Sequence, residues 1–223
     1  MKDIDDKSVD MILCDLPYGT TQNKWDSIIP LNLLWEQYER VIKNNGAIVL
    51  TSMQPFTSNL INSNLNIFKY EMIWEKSQSS GFLNAKKQPL RKHESVLIFY
   101  KKQATYNPQF TKGKPYKAKS NAAANKGNYG KFKDNITVSN GERYPTSIVH
   151  FNNGGKTLHP TQKPVDLFEY LIKTYTNENE IVLDNCIGSG TTAIACKNVN
   201  RYFIGMEKDE TYYNIACKRI ENS

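Results

Sequence analysis

Two short stretches hold residue types whose spacing could do chemistry. The first is Asp15-Leu16-Pro17-Tyr18, set in the string ILCDLPYG. It follows an apolar run over residues 9–14, broken only by Asp10, and it ends in a Pro-Tyr-Gly turn. Asp15 is therefore expected where a buried strand stops and a loop begins. In open α/β sheets that edge is where ligands bind. A carboxylate, a rigid turn and an aromatic ring side by side suit a flat base with an exocyclic amine. The carboxylate can accept a hydrogen bond from the amine, a turn carbonyl can accept another, and the ring can stack on the base. Taken alone, Pro-Tyr-Gly is equally plain loop punctuation.

The second stretch is Asp184-Asn185-Cys186-Ile187-Gly188-Ser189-Gly190-Thr191-Thr192, with Glu207 one βαβ step further on. Glycines let the backbone turn sharply and approach a ligand closely. An acid at the end of the next strand suits two vicinal ribose hydroxyls, and each charge-assisted bond there contributes roughly 1.5–3 kcal/mol. The pattern points to a nucleoside ligand. The loop has no Gly-Lys-Ser/Thr, which disfavours a triphosphate. A dinucleotide stays open, although no G-x-G-x-x-G is present. A Gly-rich connector without a ligand is the plain alternative.

The elements that must position these stretches follow from periodicity. Leu31, Leu34, Tyr38, Val41 and Ile42 recur at helical spacing, and Asn44-Asn45-Gly46 reads as the helix stop. Residues 47–50 read as a second buried strand. Pro55 can open a helix carrying Phe56, Leu60 and Ile61. Strands are expected at 70–74 and 94–100. Pro164 can start a helix with Leu167, Phe168, Leu171 and Ile172 on its apolar face. A short strand over 181–183 ends at Asp184, a helix runs through Ala193 and Ala195, and a strand over 202–206 ends at Glu207. Tyr213, Ala216 and Ile220 mark one face of the last helix. Strands alternating with helices predict an α/β fold, a Rossmann-like wound and mostly parallel sheet.

The middle differs in kind. Residues 76–133 hold fourteen Lys or Arg against one acid, Glu94, a balance of +13. The whole chain carries +7, which leaves −6 for the rest. Phe82, Tyr106, Phe110, Tyr116, Tyr129 and Phe132 interleave with the cations. Between Tyr106 and Tyr144 periodicity fades and Gly, Asn and Lys dominate. A solvated insertion is one reading. A basic lobe that neutralises phosphates and presents rings to bases is the other, and the charge asymmetry favours it. Lys86, Lys87, Arg91, Lys92 and His93 are the candidate nucleic-acid contacts. His93-Glu94 reads equally as a local structural pair.

The length of 223 residues suits one α/β domain with an inserted segment. Residues 1–75 form one half, 76–158 the insertion with one core strand at about 94–101, and 159–223 the other half. Cys14, Cys186, Cys196 and Cys217 are scattered without a C-x-x-C pair, so neither a zinc site nor a disulfide framework is indicated. Reduced thiols, the lack of a signal peptide and of a long apolar run predict a cytoplasmic protein.

With these residues in view, the chain resembles the amino-group DNA methyltransferases that use S-adenosylmethionine, in the permuted order called the β group. Asp15-Leu16-Pro17-Tyr18 is similar to their D-P-P-Y motif. His159-Pro160-Thr161-Gln162-Lys163-Pro164 is similar to their H-P-T-Q-K-P block. Residues 184–192 match D-x-x-x-G-S-G-T-T, and Phe203-Ile204-Gly205-Met206-Glu207 matches F-I-G-x-E. The four motifs stand in the right order, and the resemblance covers nearly the whole chain.

The resemblance implies a site-specific methyltransferase acting on the N6 of adenine in DNA, with the N4 of cytosine as the alternative base. Asp at the first motif position leans to adenine. It implies a catalytic Asp15-Leu16-Pro17-Tyr18 and S-adenosylmethionine as cofactor, with no metal. The cofactor would be held by Asp184, Cys186, Gly188, Ser189, Gly190, Thr191, Thr192 and Glu207, with Gln162 and Lys163. The expected partners are DNA and a cognate restriction enzyme, the expected state a monomer or homodimer, and the expected origin prokaryotic or phage. Leu16 replaces the motif's first proline, which predicts a looser turn that keeps its backbone carbonyl. Relatives carry a further strand with a Gly-Asp pair ahead of the catalytic strand. None is visible before Asp15, which predicts a truncated start or a shorter variant with weaker cofactor binding. Carbon-5 cytosine methylation needs a Pro-Cys nucleophile that the chain lacks. A non-catalytic DNA-binding relative and an N-methyltransferase of RNA or protein are the rival readings.

Overall fold

The structure is a computed structural model and describes residues 1–20, 23, 26–120, 135–153 and 162–223. Its strands are β1 (Val9–Asp15), β2 (Ile42–Ser52), β3 (Phe68–Ser80), β4 (Arg91–Phe99), β5 (Thr111–Lys112), β6 (Tyr116–Ser120), β7 (Asn135–Ser139), β8 (Glu142–Arg143), β9 (Ile148–Phe151), β10 (Ile181–Asp184) and β11 (Tyr202–Gly205). Its α-helices are α1 (Leu31–Val41), α2 (Phe56–Ser63), α3 (Val165–Tyr175), α4 (Thr191–Asn198) and α5 (Glu210–Glu221). Pro30, Pro55 and Pro164 each stand at the residue before a helix, where a missing N–H costs nothing.

Seven strands form one sheet in the order β11-β10-β1-β2-β4-β3-β9. β4 runs antiparallel to both of its neighbours, and every other pairing in the sheet is parallel. The expected wound, mostly parallel sheet is the one observed. Both faces are covered. Against one lie Leu167, Phe168, Leu171 and Ile172 of α3. Against the other lie Leu34, Trp35, Tyr38 and Val41 of α1 with Phe56 and Leu60 of α2. Each such fully buried aliphatic or aromatic side chain contributes about 1.5–3 kcal/mol, which makes the two cores the main source of stability.

From β1 the chain winds one way to β2, and from β10 it winds the other way to β11. β1 and β10 are neighbours, so a topological switch point lies between their carboxyl ends, where Asp15 and Asp184 stand. Open α/β sheets bind ligands in this crevice.

Asn44-Asn45-Gly46 corrects one expectation. It does not end the helix, because α1 stops at Val41 and β2 begins at Ile42. The three residues form a bulge inside β2: Val9 pairs with Ile42, and after the register shift Met11 pairs with Ala47. A Cβ on Gly46 would lie 2.7 Å from the carbonyl oxygen of Asp10, so only glycine lets the bulge press against β1. Asp10 is the polar residue that interrupts the first apolar run. Its carboxylate accepts Lys43 Nζ at 2.7 Å and the Ile181 N–H at 3.0 Å, which ties β1 to β2 and to the start of β10. Among the described residues no strand precedes β1.

The chain divides into two compact units, one of Met1–Asn107 with Ser147–Ser223 and one of Pro108–Thr146. The basic run is shared between them, since residues 76–107 belong to the first. The second unit holds the hairpin-like pairs β5-β8 and β6-β7. Inside it Phe110 packs on Tyr144 with ring centroids 4.8 Å apart, and the Arg143 guanidinium lies 4.6 Å over Tyr116. Tyr129 and Phe132, two of the interleaved aromatics, fall outside the described residues.

Candidate active site

Asp15 closes β1, and every lone pair but one is in use. Its Oδ1 accepts the Tyr18 hydroxyl at 2.6 Å and the Thr51 hydroxyl at 2.5 Å. Its Oδ2 accepts Lys163 Nζ at 2.5 Å. A carboxylate oxygen offers about two acceptor directions, so Oδ2 retains one. Thr51 is delivered by sheet register, because Asp15 and Thr51 are direct partners across β1 and β2. The turn brings Tyr18 back over the carboxylate. Burial, with the charges of Asp15 and Glu94 added, raises the Tyr18 phenol well above its usual range, so it stays a donor. One face of its ring stacks on Phe56, with centroids 5.4 Å apart and planes 28° apart. The Leu16 side chain is buried in the apolar core under the turn.

Lys163 is part of a buried line of alternating charge. Its ammonium touches Asp15 and stands 3.4 Å from Glu94 Oε2, while Glu94 Oε1 accepts Lys76 Nζ. Burial alone would lower the Lys163 pKa, but the two carboxylates outweigh it and hold the ammonium above its usual value. Glu94 Oε2 has no hydrogen bond other than this longer ionic contact. Four charges of summed zero thus form the floor beneath the turn. Removing one partner of such a set leaves an uncompensated buried charge, typically a loss of 3–5 kcal/mol.

At the neighbouring strand end, Asp184 anchors the loop. Its Oδ1 accepts the Cys186 N–H at 3.0 Å and its Oδ2 accepts the Thr192 hydroxyl. Burial pushes its pKa up to about 6, against the pull of those two hydrogen bonds. Gly188 and Gly190 both take positive φ, 54° and 86°. The Gly188 N–H donates to Glu207 Oε2 and the Asp209 N–H to Glu207 Oε1, each at 2.8 Å. Those oxygens keep lone pairs directed elsewhere. Gly205, one strand away, leaves room for the Ile187 side chain, whose Cδ1 would have to move from a Cβ placed there at 2.4 Å. The Ser189 hydroxyl donates to Gln162 Oε1 at 3.0 Å.

One cavity of about 980 Å³ joins the two stretches, with Asp15, Tyr18, Lys163, Asp184, Ser189 and Glu207 in its wall. Gln162 therefore meets the Gly-rich loop, whereas Lys163 meets the Asp15 carboxylate. His159, Pro160 and Thr161 of the same block lie outside the described residues. The five basic candidates do not line the cavity. Lys86 and Lys87 are exposed just beyond a 3₁₀ turn over Phe82–Asn84, and Arg91, Lys92 and His93 are exposed at the start of β4. Lys92 is paired with Glu75 at 3.0 Å. Glu94 turns inward to Lys76, so it forms no pair with His93.

Thr51, Lys76 and Glu94 escape a reading of the sequence. Glu94 carried one signal: it is the single acid in a long basic run. Thr51 and Lys76 carried none, since each reads as an ordinary polar residue in a strand.

The comparisons with known proteins agree. A type II methyltransferase of Haemophilus parainfluenzae, M.HpaI, is 29% identical over 244 residues, covering 100% of this chain and 71% of its own. The DNA adenine methyltransferase YhdJ of Escherichia coli is 27% identical over 240 residues, covering 99% of this chain and 79% of its own. The crystal structure of the M1.HpyAVI–SAM complex superposes with a TM-score of 0.65 at 27% identity, covering 95% of this chain and 89% of that one. The family model for N6/N4 DNA methylases spans residues 9–218, from β1 into α5, and the chain belongs to that family.

Proposed function

We propose that this chain transfers a methyl group from S-adenosylmethionine to the exocyclic N6 of adenine in DNA, with Asp15 accepting a hydrogen of the target amine. The carrying observation is that Asp15 and the Asp184–Gly188–Glu207 constellation open from adjacent strand ends into one cavity. Adenine is favoured over cytosine by aspartate at the first motif position and by the relative named as an adenine methyltransferase. Cytosine N4 is the second reading, because the same geometry serves either amine.

The donor set suits the cofactor. Glu207 keeps acceptor capacity for ribose hydroxyls after binding the Gly188 and Asp209 amides. The glycines bring backbone close, and Asp184 with Thr192 and Gln162 with Ser189 brace the loop. When bound, S-adenosylmethionine supplies an electrophilic methyl group on a sulfonium. This chain's residues do the rest. The amine is a weak nucleophile because its lone pair is delocalised into the ring. The free acceptor direction of Asp15 Oδ2 and the backbone carbonyl of Leu16 accept hydrogen bonds from its two N–H groups, which draws the lone pair onto nitrogen, and the one proton that nitrogen sheds on methylation passes out through Asp15 Oδ2 to solvent. Tyr18, Thr51 and Lys163 hold the carboxylate in one orientation, so little reorganisation is left for the transition state. The target base must leave the duplex, at a cost of a few kcal/mol.

In this reading the basic run and the unit Pro108–Thr146 hold and read DNA, phosphates first and bases second. Type II relatives are bacterial, and a bacterial cytoplasm with a cognate restriction enzyme is the setting we infer. The test is transfer of labelled methyl from S-adenosylmethionine to unmethylated DNA, with nucleosides identified by mass spectrometry. N6-methyladenine is the expected product. N4-methylcytosine would keep the mechanism and change the base. Labelled RNA or protein with unlabelled DNA would overturn the substrate class.

A further inference from the structure

We propose that Phe82 and Leu83 form an apolar wedge that enters the base stack of duplex DNA at the place vacated by the target base. The inference rests on the extruded-base reaction proposed above and adds two residues that none of the motifs contains.

The observation is an exposed apolar tip that directly follows residues of the cavity wall in the chain. Gln78 and Ser80, at the end of β3, line the cavity that holds Asp15. Gly81 then turns the chain with φ 88°, and Phe82–Asn84 form a 3₁₀ turn. Consecutive Cα atoms lie about 3.8 Å apart, and Phe82 and Leu83 stand two and three residues beyond Ser80 of the cavity wall. The turn is closed by its own backbone: Asn84 N–H to Gly81 O at 3.0 Å, Ala85 N–H to Phe82 O at 3.1 Å and Lys87 N–H to Asn84 O at 2.8 Å. Phe82 is 67% exposed and Leu83 102% exposed, and neither belongs to a core cluster.

A single exposed leucine needs no explanation. Two large apolar side chains on a self-bonded turn beside a reaction cavity do, because neither belongs to a core cluster and the fold makes no use of them. The surroundings identify the occupant. Lys86 and Lys87 are exposed on the same connection, and Arg91 is exposed where it enters β4. Exposed cations following an apolar tip in the chain suit phosphates flanking stacked bases, the setting in which wedging side chains unstack a duplex step. An apolar protein surface would not call for these neighbouring positive charges.

The test uses the intact chain and a short duplex carrying the site at which methylation is mapped. One version pairs the target adenine normally, and a second places an abasic site opposite it, so that the base is already unstacked from its partner. The wedge predicts that the double variant Phe82→Ala/Leu83→Ala loses at least ~10-fold in kcat/KM on the paired duplex and stays within ~3-fold of wild type on the abasic one. Leu83→Met, which keeps length and apolarity, should retain most of the paired-duplex rate. Both side chains lie outside the cores, so an unchanged thermal midpoint is expected and confirms folding. Equal loss on the two duplexes, or no loss on either, would overturn the wedge. Wild-type chain that methylates neither duplex would remove the underlying reaction and the wedge with it.

Discussion

Asp15 is a carboxylate whose surroundings leave it one acceptor direction, and the residues that occupy the others carry testable consequences. Lys163 is the most informative. Lys163→Met removes the cation on Asp15 Oδ2 and strands Glu94 with Lys76 alone. The expected cost is about 3 kcal/mol of folding stability. Freed from its clamp, Asp15 should also lose alignment, with a fall in kcat on the order of 10²-fold. Cofactor affinity, measured by calorimetry, should stay within about 3-fold if uniform binding is untouched. A variant that turned over normally but bound the cofactor weakly would return Lys163 to the cofactor role the motif resemblance implies. Asp184 makes the second prediction. Its folded pKa of about 6 lies above the roughly 3.9 of an unfolded aspartate. The folded state therefore holds that proton more tightly. The stabilisation is fully present below about pH 4 and is lost as pH rises through about 6. At pH 8 the ionised, buried carboxylate is a burden. Asp184→Asn should gain on the order of 2 kcal/mol at pH 8 and show a flatter pH dependence than wild type in chemical denaturation between pH 5 and 8. Parallel curves for the two proteins would refute this.

At the scale of elements, the strands and helices were mostly legible because their apolar spacing is regular. The α3 residues Leu167, Phe168, Leu171 and Ile172 announce a face, and that face is buried. Asp15 and Asp184 were legible for a related reason: each is an acid at the end of an apolar run. Asn44-Asn45-Gly46 was misread because polar residues and glycine mark a helix stop and a strand bulge alike, and only the pairing of β2 with β1 distinguishes them. Gly46→Ala tests the bulge. The clash of its Cβ is with the backbone oxygen of Asp10, which no side-chain rotation relieves. A loss of about 1–3 kcal/mol is expected in urea denaturation, with activity per folded molecule unchanged. A neutral substitution would mean that β1 and β2 are less tightly held than the geometry implies. The Lys76–Glu94–Lys163 line was invisible for the opposite reason: its members come from β3, β4 and the approach to α3, and nothing local marks them as neighbours.

For the whole molecule, the division of charge matters most. An acidic scaffold carries the switch-point cavity, and residues 76–133 carry the compensating excess of positive charge. Such a concentration of positive charge along the chain suits a polyanionic partner. The sheet then presents two strand ends to one crevice, one suited to a nucleoside and one to a base amine. The central claim is that chemistry and cofactor binding are separate functions of those two ends. It is tested most directly by Asp15→Ala, with cofactor binding by calorimetry and methyl transfer to DNA read on the same preparation. The account predicts bound S-adenosylmethionine and no methylated nucleoside. Wild-type-like turnover in that variant would contradict it.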